Sequence, residues 1–299
     1  MHHATGTHHT MTPPIDALVP LASFVDQSPS FYGLVVLALV VTGMLLFKRP
    51  AIDQQTVFSL VPWMVAGSAL FVFANVNGYP DQLVPVVSAK GAYLSVYVLL
   101  GLAWVAMLET SVKPETEQLL PDYLGVMGLG VATVLVAFTL LHAGALPTDR
   151  LIWPVGLTVG AAVFSSVAVF LLGSVVIDVL AYASKLSVLV VFSHTLDAVA
   201  RIAGMEVFQS INHSTLSWYI TQFTAMTTTA TPGSEAFTLS WSLTYLVLKV
   251  GFAVFAVLLL AGYARDYPIR SSIGFGAVAA IGLTSAVTNL LLIVIGGAL

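Results

Sequence analysis

The sequence predicts an all-α integral membrane protein, a helical bundle of about eight transmembrane helices with both termini outside. Three observations predict it. Of 299 residues, 58% are hydrophobic and only 8% charged, against roughly 25% charged in soluble domains. Mean hydropathy is +0.96. Apolar segments of about 20 residues, the length that crosses a bilayer, follow one another between turn signals.

The first span, 31–47, is almost wholly apolar and stops at Lys48-Arg49-Pro50, where cations meet the interface and proline ends the helix. The second, 56–76, runs into Asn77-Gly78-Tyr79-Pro80, and the third, 84–108, ends ahead of Lys113-Pro114. The fourth, 123–146, closes on Pro147-Thr148-Asp149-Arg150, and the fifth, 153–176, opens on Trp153. The sixth, 183–203, carries ionisable residues, discussed below. The seventh, 238–263, ends before Arg265-Asp266-Tyr267-Pro268, and the eighth is 271–297. Trp153, Trp218, Trp241 and Tyr263 lie near span ends, as an aromatic belt requires.

Residues 1–30 read as an N-terminal tail and 31–299 as a single transmembrane domain. Within the tail, 15–25 suits a short interfacial helix interrupted near Pro20. The opening histidines read as a metal-binding tail, an artificial tag, or an extension ahead of Met11, and no cleaved signal is expected. With the N-terminus outside, the inner loops hold Lys48, Arg49, Lys113, Lys185, Arg265 and Arg270, and the outer side holds Lys90, Arg150 and Arg201. That bias favours the N-out, C-out arrangement. A ninth crossing has room only between 204 and 237. There Leu216 to Thr231 contains six threonines and precedes Pro232-Gly233, so it reads as interfacial or re-entrant, a candidate lid or a packed loop.

A net charge of −4 without a basic run gives no nucleic-acid signal, and the absence of cysteine removes disulfides and thiolate chemistry. No Gly-x-Ser-x-Gly elbow, His-Glu-x-x-His motif, phosphate loop or paired intramembrane aspartates are present. Glycines recur at packing spacing: Gly125, Gly128 and Gly130; Gly156 and Gly160; Gly274, Gly276 and Gly282. Close helix contact explains such spacing.

Ser193 to Arg201 concentrates the polar groups. His194, Asp197 and Arg201 fall on one helix face at i, i+3 and i+7. Such a face is costly in lipid and must meet protein, water or ligand. Lys249 lies at similar depth on the seventh span, Lys90 at the outer end of the third, and Asn212-His213 in the outer connection. Together they suggest an outward-facing pocket with one carboxylate among several cations, built by the third, sixth and seventh spans and the Gly204 to Phe237 connection. Duller roles exist for each: an Asp197–Arg201 ion pair, snorkelling of Lys90 and Arg201, a carbonyl-bonded neutral His194, and likewise for His142.

His194-Thr195-Leu196-Asp197-Ala198, Arg265-Asp266 with Arg270 before the last span, and Ser88 with Tyr93 at the start of the third resemble the archaeal membrane family catalogued as domain of unknown function 63. The resemblance covers most of the chain, and His-x-x-Asp-Ala is its more specific motif. It implies about eight helices, no established activity, and a role for His194 and Asp197. The chain departs from the pattern at Arg201, where a hydroxyl residue is usual, and at Ile211-Asn212, where an acidic residue precedes the histidine matched by His213.

The expected function is binding, with transfer or transport, of an anionic amphiphile such as a lipid phosphate, in the cell membrane. Its site would be His194, Asp197, Arg201, Lys249, Lys90, His213 and Asn212. No cofactor or resident metal is expected; membrane lipid, a membrane protein or a second copy are the partners. A metal-dependent intramembrane hydrolase using His194, Asp197 and His213, and a structural subunit or assembly factor, are the alternatives.

Overall fold

The computed structural model describes residues 29–75, 87, 91–110, 118–144, 148–176, 185–208, 241–264 and 266–296. Among these the chain is helical, without a strand. The helices are α1 (Pro29–Lys48), α2 (Gln54–Asn75), α3 (Gly91–Thr110), α4 (Leu120–His142), α5 (Thr148–Val176), α6 (Lys185–Ile202), α7 (Trp241–Ala264) and α8 (Pro268–Ile295). Seven are long and apolar enough to cross a membrane, while α5 contributes the shorter apolar stretch Pro154–Val167. The chain is an integral membrane protein built as an all-α bundle. Residues 1–28 of the tail, Lys90, Asn212, His213 and the Leu216 to Thr231 segment lie outside the described residues, and the last two tail residues open α1.

Chain order sorts the helices into two groups. α2 packs on α3 and α4, and α1 packs on α3; α8 packs on α5, α6 and α7, with α6 also against α5 and α7. The α2–α8 contact joins the groups. There the Ser68 hydroxyl donates to the Thr284 carbonyl at 3.0 Å, and Val57 enters the cluster of Leu189, Val190, Val257, Phe275 and Ala279.

Local signals set the ends. Asp53 caps α2: its Oδ1 accepts from the Thr56 backbone N–H and hydroxyl, both at 2.8 Å, meeting a donor that the first helical turn leaves free. That bond to the Thr56 N–H holds the Asp53 carboxyl below its ordinary value of 3.8. α8 starts on Pro268 and is closed by Gly296 at φ 77°, a left-handed position glycine occupies without a Cβ clash. Tyr263 and Tyr267 stack at 4.7 Å across the α7–α8 turn, with Arg270 over the Tyr267 ring.

The glycine expectation holds only in part. A Cβ on Gly128 would enter the Trp63 indole, one on Gly274 would meet Leu260, and one on Gly282 would meet Ser193 and His194. At Gly130, Gly156 and Gly160 nothing lies within 4 Å, so those three mark no close approach among the described residues. Spacing locates a small-residue face and leaves open which side of the helix meets a neighbour.

Candidate functional site

The close α6–α8 crossing at Gly282 brings the polar face of α6 against α8, and α7 covers its flank. α6 runs antiparallel to α7 and parallel to α8, so the side chains stack in tiers along the three helices. The deepest tier is His194, 1% exposed. Its Nε2 lies 3.1 Å from the Val278 carbonyl, and the Phe252 ring meets the imidazole edge-to-face at 5.3 Å. Since the carbonyl only accepts, Nε2 carries a proton. Nδ1 is buried without a partner.

One turn outward, Asp197 is fully buried. Its Oδ1 accepts from the Ser285 hydroxyl at 2.5 Å and from Asn289 Nδ2 at 2.9 Å. Its Oδ2 faces Lys249 Nζ at 2.6 Å. Lys249 sits eight residues into α7 from Trp241, roughly 12 Å along the axis, and its ammonium is also 5.8 Å from the Tyr245 ring centre. The outermost tier is Arg201, half-buried, whose guanidinium donates to the Tyr245 hydroxyl. Arg201 Nε is buried and has no acceptor.

Beyond Arg201 the backbone widens into a π-helical turn, Ala203–Val207, which the Phe208 N–H closes onto the Ala203 carbonyl. α6 therefore reaches past Gly204, where the sequence places the start of the outer connection. The turn carries Glu206, which is exposed.

Four of the seven expected site residues, His194, Asp197, Arg201 and Lys249, converge as expected in depth; the other three are Lys90, Asn212 and His213, outside the described residues. Two expectations need correction. Asp197 pairs with Lys249, and no ion pair joins it to Arg201. The reason is competition: three donors from α7 and α8 already surround the carboxylate, and Arg201 turns to Tyr245. Second, the described part of α3 packs mainly on α1, α2 and α4. It reaches α8 through Tyr93, whose hydroxyl is 3.5 Å from Thr288. The third wall is α8.

Sequence reasoning missed Ser285, Asn289, Tyr245 and Phe252. A signal for two of them exists: Asn289 is an amide on a stretch of α8 whose other polar residues are hydroxyls, Ser285 among them at i−4, and a polar amide in lipid demands a partner. Tyr245 and Phe252 carry no such signal, since aromatic residues are ordinary in a span.

The Ser193 hydroxyl bonds back to the Val190 carbonyl at 2.9 Å, so it has no base in His194. Among the described residues no three His, Asp or Glu side chains come together as metal ligands. His142 packs against the Phe73 and Phe138 rings, which also meet each other, near the end of α4. No family model, curated protein or solved structure matches the chain.

Proposed function

We propose that the α6–α7–α8 cluster binds an anionic headgroup, a phosphate or carboxylate on an amphiphile, at the outer side of the cell membrane. The observation that carries this reading is Arg201: a half-buried guanidinium with no carboxylate in ion-pair range among the described residues, and with a buried Nε proton lacking an acceptor. A buried donor left unmet is costly, and a charged one more so. An anion that presents two oxygens side by side, as a carboxylate or a phosphate does, is the complement of that edge of a guanidinium. Lys249, 17% exposed, stands one tier below to meet the same anion. The apolar surfaces of the helices suit the tail, and membrane lipid is the natural source. The resemblance built on His194, Asp197 and Ala198 stands as part of this proposal, because those residues line the cluster's buried wall.

The test is retention of ligand by the purified chain. Native mass spectrometry should detect a bound phosphate or carboxylate amphiphile, and Arg201→Gln should weaken its binding about tenfold, the worth of one charge-assisted hydrogen bond. Unchanged binding in Arg201→Gln would sink the proposal.

A second reading has its own observation. Asp197 is fully buried and takes three donors from two other helices, which is what a residue that locks helices together needs. A structural subunit would lose stability on Asp197→Asn and give blank ligand assays throughout. The hydrolase alternative gains less support, because Lys249 lies 2.6 Å from the carboxylate that would hold the metal, and a cation there opposes a second one.

A further inference from the structure

Resting on the anion-binding reading, we infer that occupation of the site draws one proton into the bundle, onto Asp197, so that anion binding and proton uptake are coupled. Three observations lead there. The carboxylate is fully buried. Its two oxygens are unlike: Oδ1 has Ser285 and Asn289, whereas among the described residues Oδ2 has only the Lys249 ammonium. Lys249 is also the partly exposed member of the pair, on the side of Arg201 and Tyr245.

At this tier one ammonium balances one carboxylate. An anion that engages Arg201 and draws Lys249 toward itself takes the counter-ion from Oδ2. Ser285 and Asn289 remain, but they are neutral donors on the other oxygen. A buried carboxylate without a counter-ion is strongly disfavoured against its neutral form. A proton from bulk water therefore enters on Oδ2, giving a neutral acid, and no bond other than O–H is made. The His194 imidazole, one turn below on the same face with Nδ1 unpartnered, offers an acceptor for that new O–H.

Among the described residues the charged and titratable groups around Asp197 are few. On its own helix they are His194 and Arg201, with Glu206 on the π turn beyond; on α7, Lys249 and Tyr245; on α8, the non-titrating Ser285 and Asn289. The helix α2 and the stretch Pro154–Val167 of α5 carry no ionisable side chain. His194 holds its Nε2 proton on Val278 and keeps an open Nδ1, so it is the rival acceptor; Tyr245 already receives a bond from Arg201. Asp197 is the group whose environment changes most when Lys249 moves.

The experiment is calorimetric titration of the full chain in detergent, in two buffers of different ionisation enthalpy near neutral pH. Octane-1-sulfonate serves as the amphiphilic anion and inorganic sulfate as the free one, since neither titrates in that range. Uptake of about one proton per anion, with affinity rising about tenfold for each pH unit lowered, is the expected result. Coupling seen with octane-1-sulfonate alone supports a lipid-like source, and with sulfate as well a free anion. Whatever anion Asp197→Asn still binds should be bound without proton uptake and without the pH dependence. Binding with no buffer dependence overturns the coupling, and uptake that persists in Asp197→Asn overturns its assignment to Asp197; both leave the anion site intact. No binding of either probe overturns the site itself and the coupling with it. Where Asp197→Asn does not fold, the wild-type buffer comparison decides whether a proton is taken up and His194→Gln decides where: uptake kept in His194→Gln supports Asp197, and uptake lost there overturns the assignment.

Discussion

Two ion pairs in this protein have the same N–O distance, 2.6 Å, and almost nothing else in common. Lys48–Glu109 ties the end of α1 to the end of α3, with side chains 34% and 57% exposed; Lys249–Asp197 ties α7 to α6 with 17% and 0%. In the first, water solvates both ions whether or not they touch, and holding two long side chains together offsets most of the attraction. In the second, each ion depends on the other, because a buried charge that loses its partner has nothing to replace it. Distance alone therefore says little about what a pair contributes. Surroundings decide it.

The sharpest way to break this comparison is to remove one member of each pair. Lys249→Ala leaves a fully buried carboxylate and should cost about 3–5 kcal/mol, read as a large fall in the thermal midpoint of the purified protein. The double variant Asp197→Leu with Lys249→Met should recover most of that loss, since an apolar replacement of both partners is often near neutral. If the single variant is as stable as the wild type, the pair is solvated after all and the contrast fails.

The buried pair was half legible. Composition and hydropathy identify the spans because lipid imposes length and apolarity on every crossing, and the polar residues inside α6 stand out against that background. His194, Asp197, Arg201 and Lys249 were visible for this reason. Their partners were not, because pairing depends on how helices rotate about their axes. The i, i+4 spacing of Asp197 and Arg201 is local and so readable; the donors on α8 are almost ninety positions away and invisible until the crossing at Gly282 is known. Hydropathy also hides burial: the α6 segment Lys185–Val207 has the lowest mean hydropathy of the seven spans, 1.5, and the highest buried share, 61%, whereas α1 has 2.3 and 17%. In lipid the apolar helix goes outward, since the solvent there is apolar and polar groups seek the interior.

The next prediction concerns the crossing that holds the buried pair. A Cβ on Gly282 would lie 2.9 Å from the His194 nitrogen and 2.9 Å from the Ser193 carbonyl carbon. These are backbone atoms and cannot rotate aside, so Gly282→Ala must push α6 from α8, costing about 1–3 kcal/mol. Gly130→Ala is the control, with nothing within 4 Å of its new Cβ, and its helix should lose nothing. Equal midpoints for the two variants would show that the α6–α8 contact is looser than the geometry requires.

Between the two ion pairs in expected size is Asp53, whose carboxylate meets backbone and hydroxyl donors of Thr56 in place of a cation. Asp53→Ala should cost about 1 kcal/mol, the usual worth of an N-cap. The pH dependence has a definite sign. The folded carboxyl lies below its ordinary value of 3.8, so the charged cap contributes fully above that value, and its contribution is lost as pH falls through the lower folded one. Asp53→Asn keeps an acceptor and should flatten this acid limb. Thermal midpoints measured from neutral pH to below 3.8 would reveal any wild-type limb that the Asn variant shares, and a shared limb would assign it to another group.

The smallest effect is expected at Lys48–Glu109, and it completes the contrast. Glu109→Gln should cost less than about 1 kcal/mol, and the difference from wild type should shrink further as salt rises. Lys48 is also the basic residue in the last turn of α1, where it interacts with the helix carbonyl end without needing Glu109. Loss of the glutamate therefore leaves the lysine solvated and still favourably placed. Asp197 has no such second arrangement for Lys249. Should Glu109→Gln destabilise the protein as much as Lys249→Ala, exposure would not be what separates the pairs, and the α1–α3 end would have to be shielded by residues outside the described ones.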